Sequence, residues 1–446
     1  MNIEYPVLLS VVGLGKLGLC LATGLADAGF SVLGYDIDEH LISLVSQQKS
    51  PFFEPLLQDL LLQSKDRLCV TTHAHDVIAH SSVTFIVVPT PSQDDGAFSD
   101  KFIRAFFSSV VHDIHKKTDH HTFVIVSTVM PNTSARLISW LENQTGKKLN
   151  TDFSICYKPE FIALGSIITD MKSPDLVLIG ESQQKAGELV EQIYRKFCVN
   201  TPRIARMSIV SAEITKIALN AYVTMKISFA NTLGNICEHI PGAQVDAIST
   251  ALGADKRITP FYLKAGCSFG GPCFPRDNKA FTLFAQSHGV DARLSQAVDY
   301  INDTQVDLLV EKIEQEITRY AHPSISFLGL SYKTNTPVVE ESMALRTITR
   351  LLVRYPNMQI NVYDPLATRF AQDMLQEKVV YHDSLKSCLT SSSLWVVATA
   401  EPEFLTITEY IPEHPIALID HWRLLPQEKM PPQTRYYPVG VHITYD

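Results

Sequence analysis

No apolar run in this sequence reaches the roughly 18 residues that a membrane-spanning helix needs. Its opening residues, Met1 to Pro6, carry neither a basic start nor a small-residue cleavage site and lead straight into an apolar segment. The eight cysteines include no CxxC pair and show no regular spacing, which speaks against a disulfide scaffold and for a reducing compartment. Positive charge is also short: 38 Lys and Arg stand against 47 Asp and Glu, a formal net charge of −9. Such a balance argues against nucleic acid as a partner. It also means that any anionic substrate must be held by local cations and backbone N–H groups against the field of the whole chain. Short repeats and low-complexity tracts are missing too. What remains is a composition of 46% hydrophobic and 19% charged residues over 446 positions, that of a globular protein with more than one domain. The expectation is a cytoplasmic protein with no membrane association.

Apolar runs and helical periodicities alternate through the first part of the chain. Residues 7–13 read as a buried strand, 16–29 as a helix and 31–36 as a second strand. Further short apolar runs follow at 83–88, 123–127 and 153–156, separated by helical stretches, which predicts a parallel, doubly wound sheet. From about Ser208 to Ile240 one segment lacks proline and turn signals and predicts a long buried helix. The helical pattern resumes two residues later and runs to a break at His322–Pro323. From Ser324 strands and helices alternate again: a strand at 324–330, a helix over about 341–354, then strands at 359–364, 394–400 and 415–420. The order is α/β, all-α, α/β, with breaks near 200 and 322.

Gly13-Leu14-Gly15-Lys16-Leu17-Gly18 is a GxGxxG set between the first strand and the first helix. The first glycine makes the tight turn, the second lets backbone approach a pyrophosphate, and the third lets helix and strand pack closely. The helix N-terminus then faces the negative charge. Asp36 ends the second strand, where a carboxylate can accept from the adenosine ribose hydroxyls and would repel a 2′-phosphate, so NAD is expected over NADP. By itself the motif is also compatible with a glycine-rich turn that binds nothing.

More specific segments follow in order: Phe53-Glu54-Pro55, VVPTP at 87–91, STVMPNT at 127–133, KPEF at 158–161 and ITKIALNA at 214–221. After them come RI at 257–258, FGGPCFPRD at 269–277, GLSYKTNT at 329–336 and VYDP at 362–365. On these nine ordered blocks the chain resembles the UDP-glucose/GDP-mannose dehydrogenase family from end to end. The resemblance implies two Rossmann-like doubly wound domains joined by a central long-helix dimerisation domain: an NAD domain over 1–200, a helical domain over 201–322 and a nucleotide-sugar domain over 323–446. It implies a homodimer formed through the central domain.

Cys273 lies in a loop stiffened by Pro272 and Pro275 and opened by Gly270 and Gly271, which makes its thiol a nucleophile candidate. For Cys20, Cys69, Cys156, Cys198, Cys237 and Cys388 the ordinary reading, a small buried hydrophobe, suffices; Cys267 stays open. Lys216 and Asn220 are four apart and share one face of the long helix. On spacing alone, a lysine snorkelling to the surface fits as well.

The resemblance supplies roles. It sets Lys216 and Asn220 at the oxidised carbon, stabilising the charge that develops on the sugar oxygen. Asp277 would accept protons through water or Lys216, and Thr128 and Glu160 would orient a water. Gly13, Gly15, Lys16, Leu17, Gly18, Asp36, Pro89, Thr90 and Thr128 fall at the cofactor positions. Arg257, reaching from the other subunit, and Lys333 would contact the diphosphate of the substrate. Glu160, Phe161, Tyr262, Lys264, Phe269 and Gly270 would lie along the sugar and uridine. The implied reaction oxidises UDP-glucose to UDP-glucuronate with two NAD, through a Cys273 thiohemiacetal and thioester. GDP-mannose and an N-acetylated UDP-hexosamine are the alternative substrates; a 3-hydroxyacid dehydrogenase and a non-catalytic nucleotide-sugar sensor are the alternative classes.

The chain departs from the family pattern at Leu164, where a second glutamate is usual, and at Glu340 and Leu41, where arginines are usual. It departs also at Arg276, usually lysine, and at Asp420-His421-Trp422-Arg423, usually Asp-Gly-Arg. His112, His115, His120 and His121 surround Lys116 and Lys117 without metal-ligand spacing, so a solvated helix end is expected there and no metal.

Overall fold

The computed structural model describes residues 7–321, 323–431 and 433–443. The chain divides into two compact units, one ending at Ala218 and the other starting at Leu219.

In the first unit the strands are short and have no polar face. β1 (Leu8–Val12), β2 (Ser31–Tyr35), β4 (Val83–Ile86), β5 (His121–Ile125) and β6 (Phe153–Tyr157) are buried along nearly their whole length. Strands of this kind need cover on both sides, the condition of a parallel sheet flanked by helices. With β3 (Leu68–Thr71), β7 (Leu176–Glu181) and β8 (Arg203–Ser208) they form one sheet in the order β3-β2-β1-β4-β5-β6-β7-β8. One face is closed by Leu19, Leu25, Val190, Ile193 and Tyr194, the other by Phe106, Phe107, Leu137 and Leu141. The sheet is parallel except where β7 runs antiparallel to β6, through Cys156–Glu181 and Tyr157–Gly180. The connection over residues 158–175 contains only the six-residue helix Ile167–Lys172. A parallel partner needs a full crossover, usually a helix long enough to return the chain to the starting edge.

The second unit begins inside the 30-residue helix Ile209–Glu238, close to the span expected from the sequence. Helices Val245–Gly253, Phe274–Ser287 and Arg293–Ile317 follow. The continuous helical pattern expected up to residue 322 is interrupted: residues 254–273 form no helix or strand. Thr259 and Tyr262 sit at φ of 65° and 59°, and Pro260, Gly266 and Pro272 further oppose a helix.

After these helices come β9 (Ser324–Leu328), β10 (Gln359–Tyr363), β11 (Val380–Tyr381), β12 (Leu394–Val397), β13 (Ile416–Asp420) and β14 (Thr434–Pro438). They form an all-parallel sheet in the order β11-β10-β9-β12-β13-β14. This repeats the order of the first six strands of the other sheet, and the repetition extends to single hydrogen bonds. Gly13 N donates to Tyr35 O at 2.8 Å, and Gly329 N donates to Tyr363 O at 2.8 Å. Leu14 N donates to Asp36 Oδ2 at 2.6 Å, and Leu330 N to Asp364 Oδ2 at 2.7 Å. In both sheets an aspartate ending the second strand ties down the turn after the first.

Candidate active site

The three glycines of the first turn do three different things. Gly13 has φ +86°, and a Cβ there would stand 2.5 Å from Val87 O, so the turn admits no side chain. At Gly18 a Cβ would meet Gly13 O at 1.8 Å, which is the close packing of helix on strand that the motif requires. At Gly15, among the described residues, no atom beyond its own chain neighbours stands within 4 Å of that position. Open space beside the N-terminus of the helix Lys16–Asp27, with Lys16 and Leu17 in its first turn, suits a pyrophosphate. The Asp36 carboxylate accepts from Leu14 N and, at 3.0 Å, from Asp38 N. It thus holds the loop in shape, with its carboxylate at the end of β2 beside the glycine turn. These residues fit NAD. We expect kcat/KM to favour NAD over NADP, since a 2′-phosphate beside Asp36 would be repelled; a preference for NADP would contradict the placement.

At the carboxyl ends of β4 and β5 the loops holding Pro89, Thr90 and Thr128 are joined directly. Thr90 Oγ1 donates to Thr128 O at 2.7 Å, and Ser127 Oγ donates to Val88 O at 2.6 Å. Beyond β6, KPEF forms a buried cluster with the start of the long helix. Lys216 Nζ donates to Glu160 O at 2.8 Å and lies 4.7 Å from the centre of the Phe161 ring. Lys216 is 8% exposed, so it points inward and does not snorkel. Lys158 Nζ stands 2.5 Å from Glu160 Oε1, and Tyr194 OH donates to the same oxygen at 2.9 Å. Burial pushes the Lys158 ammonium down, opposed by the adjoining Glu160, and pushes the Tyr194 phenol well up. Glu54 accepts from Ile167 N at 2.8 Å and Gly165 N at 3.2 Å, which fastens the following loop.

In the second unit Asn220 Nδ2 donates to Asp277 Oδ2 at 2.6 Å, and both side chains are buried. Arg276 Nε lies 3.6 Å from Asp277 Oδ1. Cys273 is exposed at the N-cap of the helix Phe274–Ser287, whose positive end favours a thiolate. The glycines before it make room for the chain itself. A Cβ at Gly270 would stand 2.3 Å from Glu341 O, and one at Gly271 2.6 Å from the Tyr332 ring. Gly271 N also donates to Glu340 O at 2.9 Å, so the backbone at Glu340 and Glu341 braces the cysteine loop. Burial pushes the Tyr332 phenol up to about 12, with Cys273 and Tyr262 adding to the effect.

Two buried amides that the sequence reading missed pin the loop ahead of Cys273. Asn302 accepts from Phe269 N at 2.7 Å and donates to Phe269 O at 3.0 Å. Asn231 accepts from Gly266 N at 2.9 Å and donates to Cys267 O at 3.2 Å. The departure at 420–423 serves the same loop. Arg423 donates to Asp246 and to Ala265 O, and the Trp422 ring lies where a Cβ at Gly266 would stand, 2.8 Å away. Leu41 and Leu164 both pack against the apolar core of the first unit.

Of the remaining expected substrate residues, Phe269 is buried, Lys333 is half-buried and the others are exposed on the second unit. Arg257 has an 87% exposed side chain paired with Asp255 at 2.6 Å, and Tyr262 and Lys264 are exposed. Lys333 lies 5.8 Å from the centre of the Tyr332 ring. Cys267 is settled: it is buried, its Sγ donates to Ala398 O at 3.1 Å, and burial drives its thiol far up. Burial likewise pushes Cys20, Cys156 and Cys388 up to about 12. Cys69, expected to be buried, is exposed on the short strand β3 at the edge of its sheet.

One of the four histidines also departs from expectation. His121 opens β5 fully inside the protein, with Nε2 2.8 Å from Thr84 Oγ1, and burial lowers it to about 3. Strand periodicity continuing from residue 121 placed it in the core, not at a wet helix end.

Among the described residues no helix is long and apolar enough to cross a membrane. Residues 7–198 match the NAD-binding domain of the UDP-glucose/GDP-mannose dehydrogenase family, residues 210–304 its central domain and residues 326–426 its UDP-binding domain. The UDP-glucose 6-dehydrogenase AglM of Haloferax volcanii is 32% identical over 409 residues, 90% of this chain and 93% of that one. The GDP-mannose 6-dehydrogenase of Pseudomonas putida is 33% identical over 361 residues, 80% of each chain. The structure of a UDP-glucose dehydrogenase from Pyrobaculum islandicum superposes with a TM-score of 0.89 at 29% identity, covering 99% of both chains. With its NAD-binding, central and UDP-binding domains all matched in order along the sequence, this chain belongs to the UDP-glucose/GDP-mannose dehydrogenase family.

Proposed function

We propose that this chain oxidises the C6 alcohol of UDP-glucose to the carboxylate, using two NAD per sugar and Cys273 as nucleophile. The observation that carries the reading is Cys273, exposed at a helix N-terminus and one turn before the buried Asn220–Asp277 pair. NAD, when bound, takes the two hydrides. Lys216 and Asn220 stabilise the oxyanion at C6, and Asp277 takes the alcohol proton through water or Lys216. Thiolate adds to the aldehyde to give a thiohemiacetal, which keeps it bound. Loss of a second hydride leaves a thioester, and a water oriented by Glu160 and Thr128 releases the acid. Arg257, Tyr262, Lys264, Phe269, Gly270, Phe161 and Lys333 hold the nucleotide sugar.

The three separately matched stretches support an NAD domain over 1–200, a central domain over 201–322 and a nucleotide-sugar domain over 323–446. A homodimer through the central domain is supported by exposed Tyr222, Phe229 and Ile236, spaced seven apart along the long helix. Eight free cysteines agree with a reducing, cytoplasmic setting. Arg257→Ala is expected to weaken nucleotide-sugar binding by about ten- to a hundred-fold, the loss of one charge-assisted contact, and to leave NAD binding unchanged. In a mixed dimer with Cys273→Ser subunits, the site with intact Cys273 should recover its affinity if the arginine acts across the interface. Turnover at low UDP-glucose, which only the site with intact Cys273 supports, checks this: an active mixed dimer places the arginine across the interface, and one as weak as Arg257→Ala alone contradicts it.

Relatives named for UDP-glucose and for GDP-mannose match at similar identity, so the substrate is tested by a panel. UDP-glucose, GDP-mannose and UDP-N-acetylhexosamines are offered with NAD and ranked by kcat/KM. UDP-glucose should lead; a lead for another sugar would move the assignment within the family.

A further inference from the structure

Glu160 is the carboxylate assigned above to orient the hydrolytic water, and the inference here rests on that role. Two contacts of its side chain fall on one oxygen: Lys158 Nζ and Tyr194 OH meet Oε1 at 2.5 and 2.9 Å. The Lys158 ammonium also lies 3.9 Å above the Tyr194 ring. Lys158 is 2% exposed, Tyr194 is fully buried and Glu160 is 7% exposed. A buried ion pair seldom stabilises a fold more than apolar side chains of the same shape would. Its presence here therefore needs a reason other than stability.

Removing one member of such a pair leaves the other charge buried and uncompensated. We infer that Lys158, with Tyr194, is a positioning residue that fixes the Glu160 carboxylate through Oε1, leaving Oε2 to take a proton from water. In that step a water proton passes to Oε2, the new C–O bond forms at the thioester carbon, the C–S bond breaks, and Cys273 leaves as thiolate. Other groups facing the pair are Lys216 from the long helix and Cys198 after the helix Gln184–Phe197. Lys216 donates to the Glu160 backbone oxygen, and burial holds the Cys198 thiol up at about 11.

The test compares Lys158→Met, Tyr194→Phe and Glu160→Gln in the full-length protein with UDP-glucose and NAD. Acid quenching and intact-protein mass measure the covalent thioester, and the rate of its hydrolysis is followed from pH 6 to 9. A buried carboxylate without its countercharge favours the neutral acid, so ionising it requires a higher pH. In Lys158→Met the low-pH limb of hydrolysis should move up by about one pH unit or more. Thioester should accumulate at neutral pH, and the rate should return toward that of the wild type near pH 9. Tyr194→Phe should move the limb in the same direction by less. Glu160→Gln should hydrolyse slowly at every pH.

An unchanged profile in Lys158→Met beside a slow Glu160→Gln would overturn the positioning role and leave the role of Glu160 standing. A loss in Lys158→Met that is independent of pH and follows a fall in Tm would also overturn it, as the mark of a merely structural lysine. Wild-type hydrolysis in Glu160→Gln would instead overturn the role assigned to Glu160 itself, and with it the inference.

Discussion

Cys273→Ser is expected to lower the steady-state formation of UDP-glucuronate on the order of a thousand-fold or more, the scale of loss seen when a catalytic nucleophile is removed. A serine hydroxyl has no thiolate character near neutral pH and is a far weaker nucleophile than a thiolate. The sugar should still bind, because the substitution removes one sulfur and leaves the backbone brace from Glu340 and Glu341 in place. Mass spectrometry should find either no covalent adduct or a slowly hydrolysed ester, with no more than one NADH formed per site. Cys69 provides the control, being the other exposed thiol. Cys69→Ser should retain wild-type activity, since β3 lies at the edge of its sheet. Two NADH per sugar at an undiminished rate in Cys273→Ser would remove this cysteine from the mechanism.

Lys216→Met should lower kcat by about a hundred- to a thousand-fold, the range found when one preorganised donor to a developing oxyanion is removed. Methionine keeps the length and most of the volume of the side chain, so the substitution separates charge from packing. A purely structural Lys216 would show the reverse pattern. Its bond to the Glu160 carbonyl and its contact with Phe161 would be lost, Tm would fall, and the surviving folded protein would turn over at the normal rate. The measurements are kcat with saturating sugar and NAD, beside a thermal melt. A loss of kcat with little change in Tm supports the catalytic role, and the opposite result removes it.

What the sequence made legible was local. The dinucleotide turn could be read because the spacing of its three glycines and the place of Asp36 at a strand end are written in one strand–turn–helix–strand stretch, within which Gly18 packs on Gly13 O and Asp36 accepts from Leu14 N. The long helix could be read because a segment without breakers leaves few other conformations open. The contacts that complete the site are not local. Tyr194 reaches Glu160 across 34 positions, and Asn302 reaches Phe269 across 33. Neither has a spacing that marks it out, and a buried asparagine on a helix looks like any polar residue.

Lys158 is the exception among the residues that were missed. It stands two before Glu160, just past the end of β6, where alternate side chains share a side. A lysine so near a carboxylate at the end of a mainly apolar, wholly buried strand was a signal of a buried pair. Gly270 and Gly271 were assigned correctly as sites of close approach, but what approaches is the chain's own Glu341 and Tyr332, which no local pattern could identify. The reversal at β7 was hidden for a related reason: apolar strands look alike whichever way they run, and only the short connection before it distinguishes the two directions.

A four-electron oxidation without release of the aldehyde is read from the ratio of NADH formed to UDP-glucose consumed. The reaction is run to completion with limiting sugar and excess NAD, NADH is read by absorbance, and the sugar product is identified by mass. Two NADH per sugar, with UDP-glucuronate as the product and no free aldehyde, is the predicted result. One NADH per sugar with a released aldehyde, or no NADH from any nucleotide sugar, would contradict it.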